Sequence, residues 1–226
     1  MPASTPSQIL LTGARGRLAA CIRPHLEQAG RTVTGYSRIG APGQSSLDEL
    51  LAAPWPADTA VLLHLAWSTL PATSEKNVGA EWEHDLPLLF KVLQKIAETP
   101  AAARPHFIFF SSGGAVYGPG IGRPMQESDP CKPIGWYAEA KLAAEEIIRI
   151  YTERHGLTCT ILRVSNPYGF AVPAQRAQGI IPRAFHCAWT GEMLNLWGDG
   201  SARKDFLHYT DFNRAIQAVI DRRLTG

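Results

Sequence analysis

Short apolar runs alternate with amphipathic segments along the whole chain. The apolar runs are those of strands buried on both faces, and they occupy residues 8–12, 32–37, 58–66, 107–111 and 158–163. Between these runs, apolar residues at helical spacing predict helices. The first helix follows the first strand and ends near residue 30, and the others cover residues 46–53, 78–98, 137–154, 180–189 and 211–223. This alternation predicts an α/β fold, a doubly wound parallel sheet (Rossmann) with right-handed crossovers.

A glycine-rich turn follows the first predicted strand and leads directly into a helix. A strand, a glycine turn and a helix N-terminus in this order form an anion site, because free backbone N–H groups point at the ligand. Gly13 and Gly16 match two positions of the dinucleotide-binding pattern, and Ala19 stands at the third. The predicted phosphate contacts are Gly13, Ala14, Arg15, Gly16, Arg17 and Leu18.

The end of the second predicted strand bears on the choice of dinucleotide. An acidic residue that binds the adenosine ribose of NAD is expected there, about 20 residues beyond the glycine turn. The chain has Ser37 and Arg38 instead, and Arg15 could supply a second cation. An arginine beside a hydroxyl can bind a 2'-phosphate. The pattern favours NADP over NAD and leaves NAD open.

A tyrosine and a lysine lie four residues apart, just beyond a buried strand. Helical spacing places Tyr137 and Lys141 on one face, a turn apart. A free phenol has a pKa of about 10, and a nearby cation lowers that value. The pair therefore predicts an acid/base built from a phenol, at the same edge of the sheet as the glycine turn.

Composition excludes several classes of partner. The chain of 226 residues has 22 basic and 20 acidic residues and a formal net charge of +2, so bulk charge does not indicate nucleic acid or an anionic membrane. Four cysteines lie far apart without metal-ligand spacing, so no metal site is expected. The apolar run over residues 60–67 is too short to span a bilayer, and residues 1–7 do not resemble a signal peptide. We expect a cytoplasmic protein.

Six motifs, taken together, carry a resemblance to a known family. They are T-G-A-R-G-R-L-A (12–19), H-L-A (64–66), S-S-G-G-A-V-Y-G (111–118), Y-A-E-A-K (137–141), L-R-V-S-N-P-Y-G (162–169) and G-D-G-S-A-R-K-D-F (198–206). With them, the chain resembles an extended short-chain dehydrogenase/reductase of the NAD-dependent epimerase/dehydratase family.

The resemblance implies roles for particular residues. Tyr137 would exchange the proton of a sugar hydroxyl, and Lys141 would lower the pKa of Tyr137 and bind the nicotinamide ribose. The implied substrate is a nucleotide-diphosphate sugar. Asn166, Lys204 and the neighbouring Arg203 stand where relatives contact it. Leu65, Ala66 and Trp67, at the end of the third strand, are expected against the cofactor. A homodimer packed through the helices over residues 78–98 and 137–154 is also implied.

The chain departs from the family pattern in four places. Gly113 stands where relatives have the catalytic Ser or Thr, so the hydroxyl must come from Ser112 or Ser111, or is missing. Gly114 and Ala115 replace the acidic pair of dehydratases, which disfavours dehydration, and Lys204 replaces an arginine. The sequence given ends at residue 226, where relatives usually continue into their sugar-binding lobe. We therefore predict a dinucleotide domain of residues 1–168, joined by 198–226, and a truncated substrate lobe at 169–197.

Three functions stay open at this point. The first is a nucleotide-sugar 4-epimerase, in which the hydride leaves the sugar and returns to its other face. The second is an NADPH-dependent reductase of a keto sugar or small carbonyl, favoured by Ser37 and Arg38. The third is a cofactor-binding protein without turnover, favoured by Gly113 and the short C-terminus, although retention of Tyr137 and Lys141 argues against it.

Overall fold

One parallel sheet organises the chain. The computed structural model describes residues 8–38, 40, 45–56, 58–170, 179–196, 198–201 and 203–226. Six parallel strands pair in the order β3-β2-β1-β4-β5-β6. They are β1 (Gln8–Thr12), β2 (Thr32–Ser37), β3 (Ser45–Ser46), β4 (Thr59–His64), β5 (His106–Ser112) and β6 (Cys159–Val164). Residues 1–7 and 171–178, the latter within the predicted lobe, lie outside the described part.

Helices cover both faces of the sheet. They are α1 (Arg17–Gln28), α2 (Leu47–Ala52), α3 (Pro71–Ser74), α4 (Leu86–Glu98), α5 (Trp136–His155), α6 (Ile180–Thr190) and α7 (Tyr209–Arg222). A π-helical turn (Glu81–Asp85) precedes α4, and a 3-10 turn (Ala101–Ala103) follows it. Leu10 packs into the core under α4 and α5, whereas its neighbours Ile9 and Leu11 pack under α1 and α7. This alternation of side chains confirms the predicted doubly wound sheet.

The predicted strands match the observed ones closely. The first two agree at both ends, β5 is longer than predicted by one residue at each end, and β6 is shifted by one residue. The third was predicted over residues 58–66, but β4 ends at His64. Its continuation leaves the sheet because the backbone at Leu65 and Ala66 packs against Gly13, and the Ala66 N–H donates to the Thr12 hydroxyl at 3.3 Å.

A second, two-stranded sheet lies beyond β6. β7 (Asn166–Tyr168) pairs in parallel with β8 (Phe206–His208), which brings the last part of the chain back to the end of β6. α6 belongs to the predicted lobe and leaves Phe185 74% and Trp189 92% exposed. The division into a dinucleotide domain and a lobe at 169–197 stays a prediction.

Among the described residues, no helix is long and apolar enough to cross a membrane, and no cluster of acidic, His or Cys side chains is suited to a metal ion. All four cysteines are free thiols.

Candidate active site

The glycine turn after β1 is shaped for a close backbone approach. Gly13 has φ +72°, and a Cβ added there would lie 2.7 Å from the backbone of Leu65 and Ala66, so only glycine fits. Gly16 caps α1 without a side-chain hydrogen bond, which leaves the N–H groups of the first turn available to a phosphate. The Ala14 N–H donates to the Tyr36 carbonyl at 3.1 Å. The turn therefore fits the diphosphate of a dinucleotide.

Tyr137 lies in the first turn of α5, near enough to the side chain of Ser112 at the end of β5 for that hydroxyl to lower the pKa of the phenol. Relatives have a catalytic Ser or Thr where this chain has Gly113. The sequence alone did not decide whether Ser111 or Ser112 supplies the hydroxyl in its place. Ser111 is buried and donates instead to the Glu145 carboxylate, which Arg163 holds by an ion pair of 2.7 Å. Ser112, not Ser111, is thus the hydroxyl that lies beside Tyr137.

Lys141 is enclosed one turn further along α5. Its ammonium donates to the Phe110 carbonyl at 2.7 Å and lies 3.6 Å from the ring centre of Trp67, and the residue is 4% exposed. Burial lowers the pKa of Lys141 to about 7, and the carboxylates of Asp85, Glu145 and Glu81 act against that shift. Trp67, predicted as a cofactor contact, therefore covers the ammonium in this structure.

The predicted lowering of the Tyr137 pKa is not observed. Burial raises the pKa of Tyr137 to about 12; the bond to Ser112 opposes this rise, and Glu81 and Asp85 add to it. The ammonium of Lys141 lies 5.8 Å from the centre of the phenol ring and is turned toward the Phe110 carbonyl. The prediction fails because burial and two carboxylates outweigh the cation.

Glu81 and Asp85 are two buried acidic side chains near the site that sequence reasoning did not single out. Both lie on the π-helical turn, and they are 0% and 4% exposed. Asp85 accepts from the Ser68 N–H at 2.9 Å and hydroxyl at 2.6 Å, and Glu81 accepts from the Thr69 hydroxyl. Their spacing is a signal that could have identified them. Glu81, Asp85 and Leu89 are four residues apart, so both acids lie on the helix face that α4 buries.

The predicted adenosine end lies at the carboxyl end of β2. Ser37 is buried, whereas Arg15 and Arg38 are exposed. Neither arginine forms an ion pair with the residues described around it; residues 41–44, in the loop that follows, lie outside the described part. A Cβ at Gly35 would lie 2.7 Å from that of Ala14, so β2 and the glycine turn are packed tightly.

The small sheet places the predicted substrate residues at the same edge. The Asn166 side chain donates to the Asp205 carbonyl at 2.8 Å, beside Lys204 and Arg203, whose side chains are exposed. Asn166 also lies next to the turn after Ser112, because a Cβ at Gly114 would be 3.4 Å from its amide.

These parts lie together at the carboxyl edge of the sheet. Gly13 packs on the residues before Trp67, Trp67 covers Lys141, and the ring centres of Trp67 and Tyr137 are 6.5 Å apart. A glycine turn, a Ser–Tyr pair and a lysine at the carboxyl edge of a parallel sheet define a dinucleotide-binding protein of the short-chain dehydrogenase type.

The chain belongs to the NAD dependent epimerase/dehydratase family, whose model matches residues 9–226. It is therefore a member of the extended short-chain dehydrogenases/reductases, a family of NAD-dependent enzymes, as the motifs predicted.

Similar proteins include epimerases and a reductase. A putative UDP-glucose 4-epimerase of Methanocaldococcus jannaschii is 33% identical over 108 residues, which are 48% of this chain and 35% of that protein. The dTDP-4-dehydro-6-deoxyglucose reductase of Escherichia coli is 25% identical over 160 residues, 71% of this chain and 49% of the relative. The matches thus span about a third to a half of these relatives.

The fold is also that of a solved epimerase. The UDP-glucuronic acid 4-epimerase from Bacillus cereus, in complex with UDP-glucuronic acid and NAD, superposes with a TM-score of 0.77 at 22% identity. The superposition covers 96% of this chain and 74% of that one.

Proposed function

We propose that the chain carries the catalytic site of an NAD(P)-dependent nucleotide-sugar epimerase of the 4-epimerase type. The observation that carries the proposal is the placement of Ser112 near Tyr137, with Lys141 one turn away, at the same edge as a glycine turn that fits a diphosphate. A bound nicotinamide would supply the hydride acceptor and donor. The named functions of the relatives support the same substrate class.

The protein's own residues handle the proton and the substrate. Tyr137 takes the proton from the sugar hydroxyl and returns it when the keto form is reduced. Ser112 orients the phenol, and Lys141 presents an ammonium beside it. Asn166, Lys204 and Arg203 face the sugar nucleotide, where the two cations attract its diphosphate.

Net reduction of a keto sugar is the second candidate function. It is favoured by Ser37 and Arg38 at the adenosine end, because a net reductase draws on the reduced NADP pool. The similarity to a dTDP-keto-sugar reductase also supports it. Cofactor binding without turnover has less support, since the serine, tyrosine and lysine are all in place.

The preferred dinucleotide is proposed separately. Arg15 and Arg38 lie at the adenosine end, and position 37 is a serine rather than an acidic residue, which supports NADP. The solved neighbour described above is instead a complex with NAD. Mass spectrometry of the nucleotide released from denatured protein decides between them. Recovery of NAD alone from protein purified with both nucleotides present would contradict the NADP preference.

Exchange of Tyr137 for phenylalanine tests the function. We expect Tyr137→Phe to reduce turnover of UDP- and dTDP-sugars by at least about 100-fold, because the proton carrier is lost, while dinucleotide binding stays nearly unchanged. An epimerase interconverts two sugars without net cofactor consumption, whereas a reductase oxidises NADPH stoichiometrically. Unchanged turnover in Tyr137→Phe would contradict both.

A homodimer is proposed through the outer faces of α4 and α5. Large apolar side chains there are exposed, among them Phe90 at 46% and Ile150 at 36%. Trp82 and Trp136 form a further exposed aromatic pair with ring centres 5.9 Å apart. Exposed apolar side chains concentrated on adjacent helices suit a protein interface.

A further inference from the structure

Arg163 carries a charge that the mechanism described so far does not use. It lies on β6, and its side chain is 21% exposed, while that of its ion-pair partner Glu145 on α5 is 9% exposed. An ion pair that is largely withdrawn from water is weak evidence for stability, because the cost of desolvating both charges can exceed their attraction. Fixing the geometry of the segments around the pair is the other role that such a pair can have.

All three nitrogens of the Arg163 guanidinium donate hydrogen bonds. Nη2 and Nε donate to the Glu145 carboxylate at 2.7 and 3.1 Å, and Nη1 donates to the Tyr117 hydroxyl at 2.9 Å and to the Glu127 carbonyl at 3.3 Å. The guanidinium carbon also lies 4.9 Å from the centre of the Tyr117 ring. The rigid fork of an arginine can hold these acceptors in one geometry, whereas the single nitrogen of a lysine reaches fewer of them.

The two acceptors outside α5 lie in the β5–α5 connection, residues 113–135. Arg163 therefore holds this connection at two points, one near its start and one in its middle. Ser112 is the last residue of the strand before the connection, and Tyr137 is the second residue of the helix after it. The position of the phenol relative to the serine thus depends on how the connection is held.

Glu145 ties the helix itself to the strand. Its carboxylate accepts from the Ser111 hydroxyl, and one turn earlier the Lys141 ammonium donates to the Phe110 carbonyl at 2.7 Å. Two successive turns of α5 are therefore bound to two successive residues of β5. Because Tyr137 lies four residues before Lys141, a register fixed at these two turns also fixes where the phenol lies.

We infer that Arg163 is a positioning residue for Ser112 and Tyr137. It acts on the helix through Glu145 and on the β5–α5 connection through Tyr117. A displacement of about 1 Å at a reacting group can cost about 100-fold in rate, so a looser connection is expected to lower turnover. The inference rests on the proposed function for the catalytic role of Tyr137, whereas the hydrogen bonds on which it is built do not.

Arg163→Lys separates the charge of the side chain from its geometry. The variant keeps a cation beside Glu145 but cannot reach all three acceptors. For the UDP- or dTDP-sugar that the unmodified protein turns over, we expect kcat to fall about 10-fold, while the Kd of the dinucleotide changes less than about 2-fold. A merely structural role would lower the urea midpoint of unfolding and leave the kcat of the folded protein unchanged. Unchanged kcat in Arg163→Lys would overturn the inference.

Tyr117→Phe is a milder second variant. It removes one acceptor and keeps the ring against the guanidinium, so we expect kcat to fall about 3-fold. Tyr151→Phe is the matched control, because this tyrosine is also bonded through its hydroxyl, to Gln94 at 3.0 Å, but has no bond to Arg163; its kcat should not change. If Arg163→Lys does not fold, Tyr117→Phe decides, and a kcat equal to that of Tyr151→Phe contradicts the inference.

Amide hydrogen exchange separates this inference from the proposed function, because it needs no turnover. In Arg163→Lys, the amides of residues 117–141 are expected to exchange about 10-fold faster, while those of α1 keep their rates. Faster exchange there, in a protein whose unmodified form acts on no sugar nucleotide, would contradict the proposed function alone. Activity that is equal in Arg163→Lys and the unmodified protein would contradict the positioning role alone.

Discussion

A side chain at Gly113 would have to enter space that the backbone of β6 already fills. Its Cβ would lie 2.6 Å from the carbonyl oxygen of Arg163, while the Gly113 N–H donates to the Val164 carbonyl at 2.8 Å. The family resemblance expects a catalytic Ser or Thr here. The Gly113→Ser variant therefore tests whether the site can accommodate a hydroxyl at position 113 or depends on that of Ser112.

The structure gives the size of the effect. A contact of 2.6 Å is about 0.8 Å shorter than ordinary van der Waals contact, which begins at 3.4 Å, and the opposing atom is backbone that cannot rotate away. Forcing a methylene into such a site costs about 1–3 kcal/mol. Lengthening the Gly113–Val164 hydrogen bond adds about 1 kcal/mol. We expect Gly113→Ser to lower the free energy of unfolding by about 2–4 kcal/mol.

Urea unfolding, followed by tryptophan fluorescence, measures this loss, and turnover is assayed below the transition. Gly120→Ser is the control, because no atom lies within 4 Å of a Cβ there, and we expect a change of at most about 0.5 kcal/mol. A Gly113→Ser protein that is as stable as the unmodified one and turns over faster would refute the reasoning. It would mean that the strand ends relax freely and that the missing hydroxyl limits catalysis.

Two further predictions concern pH and assembly. His64 is buried with its pKa lowered to about 3, against about 6.5 in the unfolded chain, so its contribution to stability is complete above pH 6.5 and is lost as pH falls toward 3. Between pH 7 and pH 5 this loss lowers the free energy of unfolding by about 2 kcal/mol. In His64→Asn, the decrease in the free energy of urea unfolding between these two pH values should be smaller by that amount. Phe90→Glu should convert the proposed dimer to a monomer in light scattering, whereas Phe185→Glu, at an exposed aromatic of α6, should not; a monomeric unmodified protein would contradict the dimer.

The strands were predictable because each is buried on both faces. A parallel strand between two layers of helices is largely apolar, so β1, β5 and β6 stand out as runs in the sequence, whereas β2 is of mixed composition. β3, with two serines, and the three-residue strands of the small sheet have no such runs. They exist because pairing partners distant in sequence come to lie beside them.

The site was predictable in its positions but not in its side-chain directions. The serine run, the glycine turn and the Tyr–Lys spacing all fall at the carboxyl edge of the sheet. Which of Ser111 and Ser112 faces the tyrosine depends on Glu145, because that carboxylate takes the Ser111 hydroxyl. Lys141 likewise turns to a backbone carbonyl and to Trp67, which lies more than seventy positions earlier in the chain.

The sign of the pKa shift at Tyr137 shows where sequence reasoning stops. A spacing of four residues guarantees that phenol and ammonium are neighbours, and from that alone a lowered pKa follows. The observed shift is upward because burial removes water, and because Glu81 and Asp85 approach from a turn that packs on α5 only in the folded chain. Local spacing fixes which groups can meet, whereas the dielectric environment and the net charge around them are properties of the tertiary structure. The direction of the Tyr137 pKa shift depends on these tertiary properties, and so in part on two carboxylates that precede Tyr137 by 56 and 52 positions.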